Sequence, residues 1–129
     1  MKKAIIYTDG GASPNPGPAS IGAVLKDDAG NTIGLISQSI GVATNNEAEY
    51  RAVITALEMA AKLGIRQVEL RSDSQWLVRQ VTGEYKVKAA AIRPFYIKVK
   101  QMQEHFDNCL FVHIPRELNE AHKLAGQAI

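Results

Sequence analysis

The sequence has little that would tie it to an oxidising compartment, a membrane or a polyanion. Cys109 is its single cysteine, which excludes an internal disulfide and favours a reducing compartment. No apolar run is long enough to cross a bilayer, and residues 4–7 are too few for the core of a signal peptide. The net charge of +2 is too small to indicate a nucleic-acid ligand by itself. We expect a cytoplasmic protein with no membrane partner.

In other respects the composition is ordinary. The chain has 129 residues, of which 46% are hydrophobic and 22% charged, and it contains no low-complexity tract, internal repeat or linker-like stretch. A chain of this length can bury roughly two-thirds of its unfolded surface. We therefore expect a single domain over residues 1–129, with a monomer as the default state.

The hydrophobic pattern predicts three strands first and then helices alternating with strands. Thr44 and Glu47 form a capping box at the start of the first helix, and Gly64 ends that helix. The predicted strands cover residues 3–9, 20–26, 32–40, 67–72 and 110–114, and the predicted helices cover 44–63, 74–81, 90–106 and 118–128. The order βββαβααβα predicts an α/β fold, in which a mixed five-stranded sheet (three antiparallel strands, then parallel additions) has helices on both faces.

Two of the predicted strands end in a carboxylate. Asp9 follows the first strand and precedes Gly10 and Gly11, and Asp73 follows the fourth strand at the start of a helix. Each alone is equally well explained as a residue that caps a turn or a helix. If the two strands are neighbours, however, the two carboxylates lie roughly 5 Å apart, close enough to share a cation.

A third carboxylate, Glu49, lies on the apolar face of the first helix. It precedes Val53, Ala56 and Ala60 at helical spacing, and a glutamate on a buried face is costly unless it is paired or bound to a metal. Three carboxylates at one place repel each other unless a counter-charge is present. Oxygen ligands favour Mg²⁺, with Mn²⁺ as the alternative, and two such ions could activate a water and stabilise the leaving oxygen in phosphodiester cleavage.

The segments around these carboxylates carry a family resemblance. They are Asp9-Gly10-Gly11, Asn-Pro-Gly-Pro at 15–18, Thr-Asn-Asn-Glu-Ala-Glu-Tyr at 44–50 and Ser-Asp-Ser-Gln at 72–75. In this order and spacing the chain resembles type 1 ribonuclease H along essentially its whole length. The resemblance implies the ribonuclease H-like fold and a nuclease that cuts the RNA strand of RNA–DNA hybrids with two Mg²⁺ ions. Asp9, Glu49 and Asp73 match the first three of the family's four metal ligands.

The resemblance also implies residues that bind the hybrid. Four short amides match positions that touch the minor groove, two glycines match positions where backbone amides approach an RNA sugar, and a basic connector offers contacts to DNA phosphates. The amides are Asn15, Asn45, Asn46 and Gln75, the glycines are Gly10 and Gly11, and the basic residues are Lys86, Lys88 and Arg93. For the basic residues, a solvated surface stretch is an equally good explanation.

The family's fourth ligand, an aspartate within Asn-x-x-Ala-Asp, has no direct match. His122 takes its place in Asn119-Glu-Ala-His, with one residue fewer after the asparagine. His122 is either a fourth metal ligand that favours Mn²⁺, a group for proton transfer or product release, or an ordinary helix residue. Glu120 lies about 200° from it around a helix and is expected to face solvent. Arg116 is placed to touch the scissile phosphate.

Two classes of function follow from these expectations. The first is a metal-dependent endoribonuclease that acts on RNA–DNA hybrids. The second is a binder of hybrid or double-stranded RNA that has the fold without an intact catalytic site, an alternative that the change at His122 keeps open. A related nuclease that acts on DNA is disfavoured by the asparagine and glutamine positions that match hybrid contacts.

Overall fold

The order of strands and helices agrees with the prediction. The computed structural model describes residues 2–127. The strands are β1 (Lys3–Ala12), β2 (Gly17–Lys26), β3 (Thr32–Ala43), β4 (Gln67–Ser72) and β5 (Asn108–His113), and the helices are α1 (Asn45–Lys62), α2 (Gln75–Val81), α3 (Arg93–His105) and α4 (His122–Gln127). The order βββαβααβα is confirmed. Within residues 2–127, no helix combines the length and the apolar character that crossing a membrane requires.

The five strands form one mixed sheet in the order β3-β2-β1-β4-β5. Strands β1, β2 and β3 are antiparallel neighbours, whereas β4 runs parallel to β1 and β5 runs parallel to β4. Thr8 and Ser72 are the last pair in the parallel register of β1 and β4. Asp9, the next residue of β1, and Asp73, the residue after β4, therefore come side by side, as the prediction required.

Two glycines show that helices cover both faces of the sheet. Asp9 and Gly22 are direct partners in β1 and β2 and therefore share a face, and Gly10 points to the other face. A Cβ atom on Gly10 would overlap the carbonyl oxygen of Ala48 in α1. A Cβ on Gly22 would lie 2.5 Å from the backbone nitrogen of Ala125 in α4. Helices α1 and α4 thus pack on opposite faces, and each touches β1 or β2 close to Asp9.

Helix α1 forms where the sequence predicts it. The side chain of Thr44 accepts a hydrogen bond from the Glu47 N–H at 3.1 Å, which caps the helix, and Gly64 follows its end with a φ of +76°. The apolar face of the helix is fully buried in the main core. Because that face is fixed against the sheet, Glu49 in the second turn is directed to the ends of β1 and β4.

Several predicted boundaries move. Strands β1, β2 and β3 are longer than predicted, and α3 begins at Arg93, with Pro94 in its first turn, because residues 89–92 form a separate turn. The N-cap of α2 is Ser74, whose Oγ accepts from the Leu77 N–H at 3.2 Å. Asp73, for which a helix cap was the alternative explanation, is left for other contacts.

The predicted helix over 118–128 is wrong in its first part. A short 3₁₀ helix covers Arg116–Leu118, Asn119 is extended, and α4 begins only at His122. The side chain of Asn119 holds this break, because it bonds to the backbone of β1 and of Ala121 instead of facing solvent. Helical spacing predicts one apolar face formed by Leu118, Ala121, Ala125 and Ala128. Leu118 is instead 61% exposed, whereas Ala121 and Ala125 are buried as this spacing predicts. Ala128 lies outside the described residues.

Candidate active site

The three predicted carboxylates converge where the pairing of β1 with β4 ends. One oxygen from each of Asp9, Glu49 and Asp73 lies within 4.8 Å of the others. Asp9 is 8% exposed, and the side chain of Asp73 is 5% exposed. Each carboxylate comes from a different element, so the main tertiary contacts of the fold bring them together.

Glu49 is held by the backbone of β1. Its Oε1 accepts a hydrogen bond from the Gly10 N–H at 2.9 Å. This bond depends on the close approach of α1 to β1, which the missing Cβ of Gly10 allows. The Gly10 amide, predicted to approach an RNA sugar, is thus engaged inside the site.

The cluster resists full ionisation. Burial, reinforced by the nearby charges of Asp9 and Asp73, raises the pKa of Glu49 well above its usual value. Burial and the charge of Asp73 also raise the pKa of Asp9, although the hydrogen bond from His122 acts in the opposite direction. The three carboxylates therefore repel one another, as the sequence predicts, and full ionisation of the cluster requires a counter-charge.

A fully buried oxygen of the cluster, Oδ2 of Asp73, has no hydrogen-bond partner within residues 2–127. The nearest cation is the Nε atom of Arg116, at 3.7 Å, which is within ion-pair range and too far for a hydrogen bond. A buried, unbonded carboxylate oxygen is costly unless another group supplies the missing charge. An unsatisfied oxygen within an oxygen-only ligand set fits a hard divalent cation.

His122, the first residue of α4, contacts the cluster from the face of the sheet opposite to α1. Its Nδ1 lies 2.9 Å from Oδ2 of Asp9, and its side chain is 51% exposed. Glu120 turns away and forms an ion pair with Lys26 at 2.6 Å, which agrees with the expectation that it does not replace the missing aspartate. His122 is therefore the residue of α4 that reaches the carboxylates.

Asn119 is a site residue that sequence reasoning missed. It is buried, its Nδ2 donates to the carbonyl of Thr8 at 2.9 Å, and its Oδ1 accepts from the Ala121 N–H at 3.0 Å. It thus joins the residue before Asp9 to the residue before His122. The available signal was an asparagine close to a helix start, which is typical of an ordinary cap.

Two of the carboxylates, Asp9 and Glu49, border an open cavity of about 480 Å³. Its walls come from β1, β2, α1, the 3₁₀ helix and α4. They are formed by Asp9, Gly10, Gly11, Ala12, Ser13, Ser20, Asn45, Glu49, Arg116, His122, Ala125 and Gly126. Two predicted site residues with basic side chains, Arg116 and His122, thus lie at the same cavity as Asp9 and Glu49.

The predicted amide residues divide into two groups. The side-chain oxygen of Asn15 accepts from the Asn45 N–H at 2.9 Å, and that of Asn45 accepts from the Ala12 N–H at 2.7 Å. These bonds fix the loop after β1 against the start of α1, beside the cavity. Asn46 and Gln75 are exposed in the first turns of α1 and α2. All four are located at helix starts or at the adjoining loop.

The predicted basic residues gather at a separate location. Lys86, Lys88 and Arg93 border a second cavity of about 550 Å³, together with Tyr85 and Tyr96. None of the three is part of the wall that contains the carboxylates. The structure brings these cations together with one another, and it adds two tyrosines that the sequence analysis did not single out.

Comparison with known proteins identifies the family. The family described as reverse transcriptase-like matches residues 7–128. The chain belongs to this family. It is also 40% identical to ribonuclease HI of Halobacterium salinarum over 95% of its own length. The motif-based resemblance to type 1 ribonuclease H is confirmed, and so is the predicted fold.

Solved structures agree with this assignment. LC11-RNase H1, solved in complex with an RNA/DNA hybrid, is 47% identical, has a TM-score of 0.93, and is matched over 98% of this chain and 96% of that one. The chain spans 62% of the Halobacterium ribonuclease HI and 35% of the bifunctional protein Rv2228c of Mycobacterium tuberculosis, to which it is 37% identical over 98% of its own length. It thus covers less than two-thirds of these relatives.

Proposed function

We propose that this protein is an endoribonuclease that hydrolyses the RNA strand of RNA–DNA hybrids with two bound metal ions. The observation that carries the proposal is the convergence of Asp9, Glu49 and Asp73 within 4.8 Å, with Oδ2 of Asp73 buried and unbonded within the described residues. Such a set needs positive charge to be stable, and two of its members, Asp9 and Glu49, border a cavity that is open to a large substrate. The membership in the reverse transcriptase-like family and the 40% identity to a ribonuclease HI support the same reaction.

In this proposal four residues hold the ions. Asp9, Glu49 and Asp73 supply carboxylate oxygens, and His122 supplies an imidazole nitrogen as the fourth ligand. Mg²⁺ suits the three carboxylates, and Mn²⁺ is the alternative that a nitrogen ligand favours. When bound, the two ions supply Lewis-acid stabilisation of charge on the attacking and leaving oxygens of the phosphodiester.

The protein's own contacts prepare this ligand set. The Gly10 N–H orients the Glu49 carboxylate, and the His122 imidazole orients Asp9. Arg116 is exposed and 3.7 Å from Asp73, and once bound metal ions supply the positive charge that Asp73 needs, Arg116 is available to bind the scissile phosphate. We assign these residues to catalysis and positioning on the basis of the contacts.

The proposed substrate is the hybrid duplex, since a relative that is 47% identical was solved bound to one. Its minor groove would contact the four amides around the starts of α1 and α2, and its RNA backbone would pass Gly10 and Gly11. The DNA phosphates would contact Lys86 and Lys88, whose cluster lies apart from the carboxylates. The amides are Asn15, Asn45, Asn46 and Gln75.

The proposal has four finer parts. Residues 1–129 form a single ribonuclease H-like domain, which is supported by the one continuous sheet. The domain is a monomer in the cytoplasm, in keeping with Cys109 as a free thiol.

Double-stranded RNA is a second substrate or ligand, because its minor groove also displays 2′-hydroxyls. Size-exclusion chromatography with light scattering tests the monomer.

A cleavage assay tests the main proposal. An RNA–DNA hybrid with labelled RNA is incubated with the chain in Mg²⁺, in Mn²⁺ and in EDTA, beside matched single-stranded RNA, double-stranded RNA and double-stranded DNA. We expect metal-dependent cuts within the RNA of the hybrid. Asp9→Asn should abolish cleavage and retain binding of the hybrid in a gel-shift assay. Binding by the wild-type chain without cleavage in either metal would establish the non-catalytic binder instead.

A further inference from the structure

The segment that carries Arg116 and His122 is connected through the chain to β5, and this connection alone does not place it beside the carboxylates. The 3₁₀ helix and α4 follow β5, at the far edge of the sheet from β2 and β3. Yet α4 packs over β2, and its first residue contacts Asp9 on β1. Some contact must therefore fix how far along β1 this segment docks and which of its residues faces Asp9.

Asn119 makes the contacts with that effect. Its Nδ2 donates to the Thr8 carbonyl, one residue before Asp9, and its Oδ1 accepts from the Ala121 N–H, one residue before His122. Its own N–H donates to the carbonyl of Arg116 at 3.0 Å, and its carbonyl accepts from the His122 N–H at 3.3 Å. One buried side chain and its backbone thus tie β1, the 3₁₀ helix and the start of α4 together.

We propose that Asn119 is a positioning residue, which sets the register of the start of α4 on β1 so that His122, and not Glu120, meets Asp9. The inference rests on the proposed function, since it concerns the same metal site. It explains why a chain with one residue fewer between this asparagine and the helix can still direct a side chain to the carboxylates. Asn119 itself touches neither the substrate nor the carboxylates, and it acts through His122.

The contacts at the other end of α4 provide a matched control. The Ser37 Oγ on β3 donates to the Leu124 carbonyl at 2.6 Å. Ser37→Ala therefore removes one hydrogen bond that docks α4 on the sheet and leaves the link between Asn119 and Thr8 in place. A residue that merely stabilises the docking of α4 should behave like Ser37. A residue that sets the register should also change the metal site.

The test measures Mn²⁺ binding to the full chain by isothermal titration calorimetry, with melting temperature and steady-state cleavage of a hybrid in parallel. We expect Asn119→Ala to raise the Mn²⁺ dissociation constant about 10- to 100-fold, the usual range for residues that orient metal ligands. It should lower kcat to a similar extent and change KM less than about twofold. Ser37→Ala should lower the melting temperature and change the Mn²⁺ dissociation constant less than about twofold. If the alanine variant does not fold, Asn119→Ser replaces it in the test, because the serine retains an oxygen that can accept from the Ala121 N–H.

A double-mutant cycle on Mn²⁺ affinity separates positioning from general stability. If Asn119 acts through His122, Asn119→Ala should add less than about twofold when His122 is already alanine. Independent, multiplying effects of the two substitutions would overturn the inference, as would equal effects of Asn119→Ala and Ser37→Ala on Mn²⁺ binding. Because Mn²⁺ binding needs no cleavage, a wild-type chain that binds Mn²⁺ and cuts no hybrid refutes the proposed function and leaves this test intact.

Discussion

His122 Nδ1 lies 2.9 Å from Asp9 Oδ2, although the two residues are 113 positions apart in the chain. The contact places an imidazole where the family's pattern has an aspartate. An imidazole is a weaker ligand for Mg²⁺ than a carboxylate is, and Mn²⁺ accepts a nitrogen ligand more readily than Mg²⁺ does. The metal preference of the site should therefore depend on this one side chain.

Replacement of His122 should change which metal supports activity. We expect His122→Ala to abolish cleavage of a hybrid, and His122→Asp to retain it with a shift in preference from Mn²⁺ toward Mg²⁺. Initial rates over a range of Mg²⁺ and Mn²⁺ concentrations measure this preference, and Mn²⁺ calorimetry provides a readout without substrate. Full activity of His122→Ala would remove the residue from the site.

Glu49→Gln should make the metal-free protein more stable at neutral to basic pH. The amide oxygen can still accept from the Gly10 N–H, whereas the negative charge beside Asp9 and Asp73 is removed. The folded protein raises the pKa of Glu49, so folding favours the protonated form, and the stability that Glu49 contributes is lost as pH rises from its unfolded value through its folded value. The advantage of the variant should thus be small near pH 4 and grow above it.

Thermal unfolding in EDTA at several pH values measures this difference. A gain on the order of 1 kcal/mol at pH 8 would raise the melting temperature by about 4 °C. Saturating Mn²⁺ should reverse the ranking, because the variant lacks one ligand and gains less from the metal. A wild-type chain that is more stable than Glu49→Gln at pH 8 in EDTA would contradict the electrostatic description of the cluster.

Gly10 and Gly11 offer a matched pair for the close approach of α1. A Cβ on Gly10 would overlap the Ala48 carbonyl, whereas the nearest atom to a Cβ on Gly11 is Oδ1 of Asn45, at an ordinary 3.7 Å. Gly10→Ala should therefore destabilise the fold by about 1–3 kcal/mol and weaken Mn²⁺ binding, because α1 carries Glu49. Gly11→Ala should cost much less stability. Urea unfolding of both variants measures the free energy of unfolding that each substitution costs. Equal losses for the two variants would contradict the close approach of α1 at Gly10.

The overall architecture was accessible from the sequence because its signals are local. The hydrophobic pattern of the strands, the Thr44 cap and the order of elements predict the fold. The carboxylates at the ends of two predicted strands, Asp9 and Asp73, are predicted to be adjacent. The start of α4 was not accessible, since the Thr8 carbonyl that holds Asn119 lies 111 residues away in the chain. Helical periodicity over 118–128 is a local pattern, and it cannot predict a hydrogen bond to so distant a residue. The internal role of the Gly10 amide was missed for the same reason.

Arg116 should affect catalysis without affecting stability. Its side chain is 71% exposed, and its Nε is 3.7 Å from Asp73, beyond hydrogen-bond range, so the ion pair should add little to folding when bound metal ions neutralise Asp73. We expect Arg116→Gln to lower kcat/KM for hybrid cleavage about tenfold or more and to leave the urea midpoint nearly unchanged. Arg66→Gln, which removes an exposed ion pair with Asp107, is the control and should retain activity. Equal activity of the two variants would exclude Arg116 from contact with the phosphate.

The distribution of the ligands along the chain has a consequence for biosynthesis. Translation delivers Asp9 with β1, Glu49 with α1 and Asp73 with β4, and only later the 3₁₀ helix, Asn119 and His122. On a growing polypeptide the three carboxylates can gather while the imidazole has yet to be synthesised. The proposed metal centre can thereby be completed only after all five strands of the described sheet have been synthesised.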